Sequence, residues 1–189
     1  MRTYRISLRR IWNRDYISRF VIFIPPKDFK DESISLITLF FDKWGVNYKV
    51  SSYTSRDCQG IHGAVYHPDI HTSKVYGDEY DGIVLIDGAG VDTYKLYDYR
   101  PLLDLMLKFN NGEKFVLSVD NAAKIPARAN IVREKKVATN DKETMRLITL
   151  FHGVPSDKPY EIAGNLISIK DSTQIEDAMV PILEHMGVT

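Results

Sequence analysis

Asp120 and Asn121 interrupt the chain between two segments of opposite character. Before them runs Phe115-Val116-Leu117-Ser118-Val119, apolar and rich in β-formers; after them comes the small, Ala-rich stretch Ala122-Ala123-Lys124-Ile125-Pro126-Ala127. That order predicts a strand, a sharp turn and a helix. Such a turn lifts one side chain out of a sheet beside the first N–H groups of a helix, where negative charge is well held. The side chain lifted here is the Asp120 carboxylate. A carboxylate in that position can attack an electrophilic carbon, giving an ester that water then cleaves, provided a base activates the water. His62 and His152 are the candidate bases if folding brings either one to Asp120.

Three other groupings carry chemical potential. Asp87-Gly88-Ala89-Gly90 follows the apolar run Gly82-Ile83-Val84-Leu85-Ile86, and its glycines would let backbone N–H groups approach a ligand. His67, Asp69 and His71 alternate, so on a strand they would offer two imidazoles and a carboxylate to zinc. Pro68 between them argues for a loop and for ordinary solvated residues, so no metal is expected. Cys58 is the single cysteine. It excludes an internal disulfide framework, fits a reducing cytosol and is read as a small buried hydrophobe.

The elements that must position these residues follow from periodicity. Phe20-Val21-Ile22-Phe23-Ile24, closed by Pro25-Pro26, is a strand buried on both faces. From Asp31 the period changes: Ile34, Ile37, Phe40, Phe41 and Trp44 line one side of a helix that Gly45 ends. Tyr48 to Ser52 then completes a β-α-β unit, which favours a parallel sheet. Residues 53–80 form a hairpin or small excursion around Gly60-Ile61-His62-Gly63. Pro101 starts a helix with Leu102, Leu105, Met106 and Phe109 on its apolar side, and Asn111-Gly112 closes it. Lys136 to Thr139 is a short strand, 142–169 mixes small helices and strands, and Asn165 to Ile169 is the last strand. Thr173-Gln174-Ile175-Glu176 matches a capping box ahead of a final helix buried through Ile175, Met179, Ile182, Leu183 and Met186.

With 189 residues, 44% of them hydrophobic and 26% charged, the chain can bury a full core as one domain. Its net charge is +0, which gives no general attraction to nucleic acid or acidic membranes. The distribution is uneven. Residues 1–19 carry Arg2, Arg5, Arg9, Arg10, Arg14 and Arg19 against Asp15 alone, and the remainder is acidic by the same amount. Tyr4, Leu8, Ile11 and Trp12 recur at helical spacing among these arginines, predicting a basic amphipathic helix over 3–16. A membrane or nucleic-acid arm is one reading; a helix packing on its own domain or on a subunit, or a frayed extension, is the one kept. No apolar run approaches the ~20 residues needed to span a bilayer, and residues 1–19 lack the uninterrupted apolar centre and small-residue cleavage site expected of a secretory signal. A cytoplasmic protein is expected.

These landmarks, in this order, are similar to the ThiJ/PfpI family of the class I glutamine-amidotransferase-like superfamily. The resemblance runs from about Phe20 to Met186. It is carried by Lys27-Asp28-Phe29-Lys30-Asp31 after the opening strand, the Gly60-Ile61-His62-Gly63 turn, Tyr80-Asp81-Gly82-Ile83-Val84-Leu85, Ser118-Val119-Asp120-Asn121-Ala122 and Ala163-Gly164-Asn165-Leu166. It implies a flavodoxin-like three-layer α/β/α sandwich over 20–189, a mostly parallel central sheet and self-association as a homodimer; the basic segment 1–19 lies outside it and is read as an N-terminal extension. The family's elbow carries a nucleophilic or redox-active cysteine; here Asp120 takes that position and Asn121 the next. The glutamate that faces the thiol is replaced by Lys30, the usual histidine by Asn140, and the paired glycines of the oxyanion loop by Asp87-Gly88.

Thiol, glutamate and histidine are thus absent from their expected places, and the family's thiol chemistry is not expected. Lys30 and Asp120 replace an acid and a thiol as a complementary pair, and an ion pair between them across the cleft is expected. The first functional expectation is a pseudoenzyme without a cofactor, binding a small molecule or regulating through a remnant cleft of Lys30, Asp87, Gly88, Asp120 and Asn121. The second is a hydrolase-type enzyme that uses Asp120 as nucleophile.

Overall fold

Apolar runs too short for helices but buried on both sides account for the centre of the molecule, which a computed structural model describes over residues 18–188. The basic helix expected over 3–16 lies outside the described residues. In chain order the strands and helices are β1 (Arg19–Phe23), β2 (Lys27–Phe29), α1 (Asp31–Lys43), β3 (Asn47–Ser52), β4 (Cys58–Gly60), β5 (Val65–Tyr66), β6 (Ile70–His71), β7 (Gly82–Leu85) and α2 (Gly90–Thr93). There follow α3 (Arg100–Asn111), β8 (Phe115–Val119), α4 (Lys124–Arg128), β9 (Lys136–Ala138), α5 (Lys142–Leu150), β10 (Val154–Ser156), β11 (Tyr160–Ala163), β12 (Leu166–Ile169) and α6 (Ile175–His185).

Seven strands form the main sheet in the order β11-β12-β8-β7-β1-β3-β6. All its neighbours pair in parallel except β11, which runs antiparallel to β12 at the edge. Alternation along each strand divides the core. Phe20 and Ile22 of β1, Val84 of β7, and Phe115, Leu117 and Val119 of β8 face one layer with α1 and α6. Val21, Phe23, Ile83, Leu85 and Val116 face the other, with α3, α4 and α5. Period-two burial on both faces is what a helix-covered parallel sheet demands, and the result is the expected flavodoxin-like α/β/α arrangement.

The excursion after β3 is the antiparallel hairpin β4–β5, whose small sheet also takes in β2, while β6 returns to the main sheet. The mixed stretch 142–169 resolves into α5, β10, β11 and β12. The capping box at Thr173 does not form: Asp171 accepts from the Thr173 N–H at 2.9 Å in a 3-10 turn, and α6 starts without a side-chain cap. Because β1, β7 and β8 are adjacent and parallel, the loops leaving their C-terminal ends converge, the usual place for ligands on such a sheet. Those loops contain Lys30, Asp87-Gly88 and Asp120-Asn121.

Candidate functional site

The elbow forms as the residue pattern requires. Asp120 has φ +44°, a left-handed conformation uncommon outside glycine, and opens a 3-10 turn that runs into α4. Its side chain is half-buried. Oδ1 accepts from Thr139 Oγ1 at 3.0 Å and from the Asn140 N–H at 2.9 Å, both at the end of β9. Thr139 in turn accepts from the Asp141 N–H at 3.2 Å, so its own proton is directed to Asp120. Burial raises the Asp120 carboxyl above its usual range; Asn140, Thr139 and Lys30 pull it back, and Asp141 pushes it up further.

Lys30 does not make the expected contact. Its ammonium lies 3.8 Å from Asp87 Oδ2 and forms no contact ion pair with Asp120, which it influences only through space. The reason is the course of the chain: the Lys30 N–H donates to the Asp87 carbonyl at 2.9 Å, which seats Lys30 on the β7 loop. Asp87 itself is fully buried, and neither carboxylate oxygen has a hydrogen-bond partner among the described residues. Burial pushes this carboxyl up to about 7; the nearby Ser33 hydroxyl and Lys30 oppose the rise and Asp120 adds to it.

Gly88 and Asn121 are locked together. The Gly88 N–H donates to Asn121 Oδ1 at 3.1 Å, and Asn121 Nδ2 donates to the Gly88 carbonyl at 2.8 Å. At φ +140°, Gly88 passes so close to β2 that an added Cβ would stand 2.2 Å from the Asp28 carbonyl oxygen. Only glycine fits there. Its N–H is already taken by Asn121.

Beside the elbow, Lys124 is buried with its ammonium paired to Asp92 Oδ1, to Glu143 Oε2 at 3.3 Å and to Asp141 Oδ2 at 3.6 Å. Burial alone would lower the Lys124 ammonium, but these carboxylates, Asp92 foremost, raise it. Asp92 also accepts from Asn121 at 3.3 Å. Thus the loops after β7, β8 and β9 are tied by polar groups as well as by packing.

Neither candidate base reaches the elbow. No histidine among the described residues hydrogen-bonds to Asp120. The His62 N–H donates to Asp31, and the His152 backbone joins Thr149 and Glu134. The alternating cluster also disperses: His67 binds Asp57 at 2.8 Å, Asp69 accepts from the Val50 N–H at 2.8 Å, and His71 bonds to Ser73 and to the Tyr53 carbonyl. Cys58 is buried, with its thiol pushed up by burial. A separate cavity of about 410 Å³ lies at the opposite end of the strands, among Arg19, Tyr48 and Tyr80.

The DJ-1/PfpI family model matches residues 19–185, covering the sheet, the elbow and the final helix. The chain belongs to the DJ-1/PfpI family. It is 27% identical over 154 residues to an uncharacterized protein of Methanocaldococcus jannaschii, covering 81% of this chain and 75% of that one. The crystal structure of a ThiJ/PfpI domain protein from Brachyspira murdochii superposes with a TM-score of 0.84 at 22% identity, over 92% of this chain and 99% of that one. Drosophila melanogaster DJ-1beta superposes with a TM-score of 0.78 at 15% identity, over 92% of each chain. At these identities the two structures speak to the fold.

Within this DJ-1/PfpI fold, sequence reasoning missed Ser33, Asp92, Lys124, Thr139 and Asp141 as neighbours of the elbow. Two signals pointed to them. Lys124 is a lone cation in an otherwise small and apolar segment, which calls for a counter-charge. Asp141 precedes a helix by the spacing of an N-cap, and its Oδ2 does accept from the Thr144 N–H at 3.0 Å. Thr139 and Ser33 carried no such mark.

Proposed function

We propose that this DJ-1/PfpI protein is a non-catalytic small-molecule binder, acting through the cleft of Lys30, Asp87, Gly88, Asp120 and Asn121. The observation that carries this reading is the surroundings of Asp120: among the described residues its hydrogen-bond partners are the donors Thr139 and Asn140, and none is a base. A carboxylate held in this way is oriented to receive a ligand and has nothing to activate water. The Asn121 lock on the Gly88 N–H supports it by removing an oxyanion donor. A regulatory role in the cytoplasm and a homodimeric state belong to the same reading, supported by the single cysteine and by the family resemblance. A thermal-shift screen of metabolites tests it. A ligand should raise the Tm of the wild type and lose most of that effect on Asp120→Ala; equal shifts in both proteins would overturn the assignment to this cleft.

A second reading, an enzyme with Asp120 as nucleophile, is favoured by one feature. Asp120 Oδ2 receives no hydrogen bond from the described residues, and the elbow conformation presents it as a nucleophile would be presented. Mass spectrometry after incubation with alkyl halides distinguishes the two, because an alkyl ester on the Asp120 peptide, formed as halide leaves, is expected only for the enzyme.

A further inference from the structure

Taking the elbow cleft as a binding site, as above, we propose that it accepts a cationic group, an ammonium or guanidinium, on Asp120 and releases a proton from Asp87 in exchange.

The charge around the cleft sets the ligand class. Among the described residues, Asp87, Asp92, Asp120, Asp141 and Glu143 are arrayed against Lys30 and Lys124, and Lys124 is committed to Asp92, Asp141 and Glu143. An anionic ligand would meet this acid excess. Asp120 keeps Oδ1 on Thr139 and Asn140, leaving Oδ2 as an acceptor that only a donor can satisfy. A cationic donor gives the stronger, charge-assisted bond.

Asp87 supplies the second, independent feature. It is fully buried, and among the described residues both its oxygens lack a hydrogen-bond partner and its nearest counter-charge stands 3.8 Å away on Lys30. The charged groups that face it are Lys30, from the loop before α1, and Asp120, from the elbow. Ser33 of α1 is neutral. Asp31 is turned away, accepting from the His62 N–H at 2.6 Å and the Ala64 N–H at 2.8 Å. One lysine therefore serves two carboxylates, and while Asp120 is uncompensated it opposes ionisation of Asp87.

A ligand cation on Asp120 removes that opposition and leaves Lys30 to Asp87. The buried carboxyl then gives its proton to solvent. One positive charge enters and one leaves, so the net charge of the cluster is unchanged. Because burial has brought the Asp87 carboxyl to about 7, the exchange falls in the neutral range, and cation affinity rises with pH through it.

Carbon-13 NMR titration of the Asp87 carboxyl in the full chain tests the exchange, with ethylammonium chloride as probe and sodium chloride at equal concentration as control. The Asp87 midpoint should fall by about half a pH unit or more in ethylammonium relative to sodium, the scale expected for a neutralised neighbouring charge. In Asp120→Asn the midpoint should already be lowered and should no longer respond to ethylammonium. Lys30→Met should raise it. An unmoved wild-type midpoint overturns the exchange. If the Thr139 and Asn140 amide signals still saturate with ethylammonium, binding at the elbow stands and only the proton coupling falls; if they too are silent, cation binding there falls with it.

Discussion

The Asn121 carboxamide holds both backbone polar atoms of Gly88, accepting from its N–H at 3.1 Å and donating to its carbonyl at 2.8 Å. This pair of bonds ties the elbow to the loop after β7. Asn121→Ala removes both bonds and leaves partly buried backbone groups to find water. It should lower the unfolding free energy by about 1–3 kcal/mol, measured by urea denaturation, since leaving such groups unpaired costs more than a bond's net worth. An unchanged midpoint would mean that the lock contributes nothing.

Lys124 is the hub of the neighbouring polar cluster, with its side chain 6% exposed while its partners Asp92, Asp141 and Glu143 are 43%, 35% and 74% exposed. Lys124→Met keeps the aliphatic stem and removes the charge. The stranded carboxylates reach water, so the loss should lie below that of a fully buried pair, at about 2–3 kcal/mol. Thermal denaturation at low and high salt is the check: the loss should shrink as salt screens the repulsion among the three acids.

Asp87 makes stability depend on pH with a definite sign. Its folded-state value, about 7, lies above that of an unfolded aspartate, so the folded protein binds this proton more tightly. That contribution is complete below the unfolded value of about 4 and is lost as pH rises toward 7. Asp87→Asn cannot titrate. Its stability relative to wild type should therefore improve by about 2–3 kcal/mol between pH 5 and pH 8, since a tenfold difference in proton affinity between the folded and unfolded chain is worth about 1.4 kcal/mol. Chemical denaturation of both proteins at the two pH values measures this, and a gap independent of pH would count against a raised Asp87.

Local pattern was enough to place the central strands and the longer helices. The runs at Phe20, Gly82, Phe115 and Leu166 became β1, β7, β8 and β12 within a residue or two, and the change of period after Asp31 became α1. The elbow was equally legible, because a strand that stops at Asp120 before a small-residue segment must turn there. These features are written locally: burial on a sheet or helix imposes its own period on neighbouring residues. The polar partnerships were not written locally. Residue order put Lys30 and Asp120 at strand ends but gave no sign that the chain would seat Lys30 on the Asp87 carbonyl and pair it there. Nor did it show that Asn121 would occupy the Gly88 N–H, or that Thr139 and Asn140 would hold Asp120. Those contacts join residues 19 to 57 positions apart, and a charged or amide side chain takes whichever partner packing brings within about 3 Å. Residue order and period alone dictate an α/β chain with a parallel sheet and a carboxylate at its elbow. Which groups that carboxylate faces is fixed only when the chain is folded, because hydrophobic period is local and polar pairing is not.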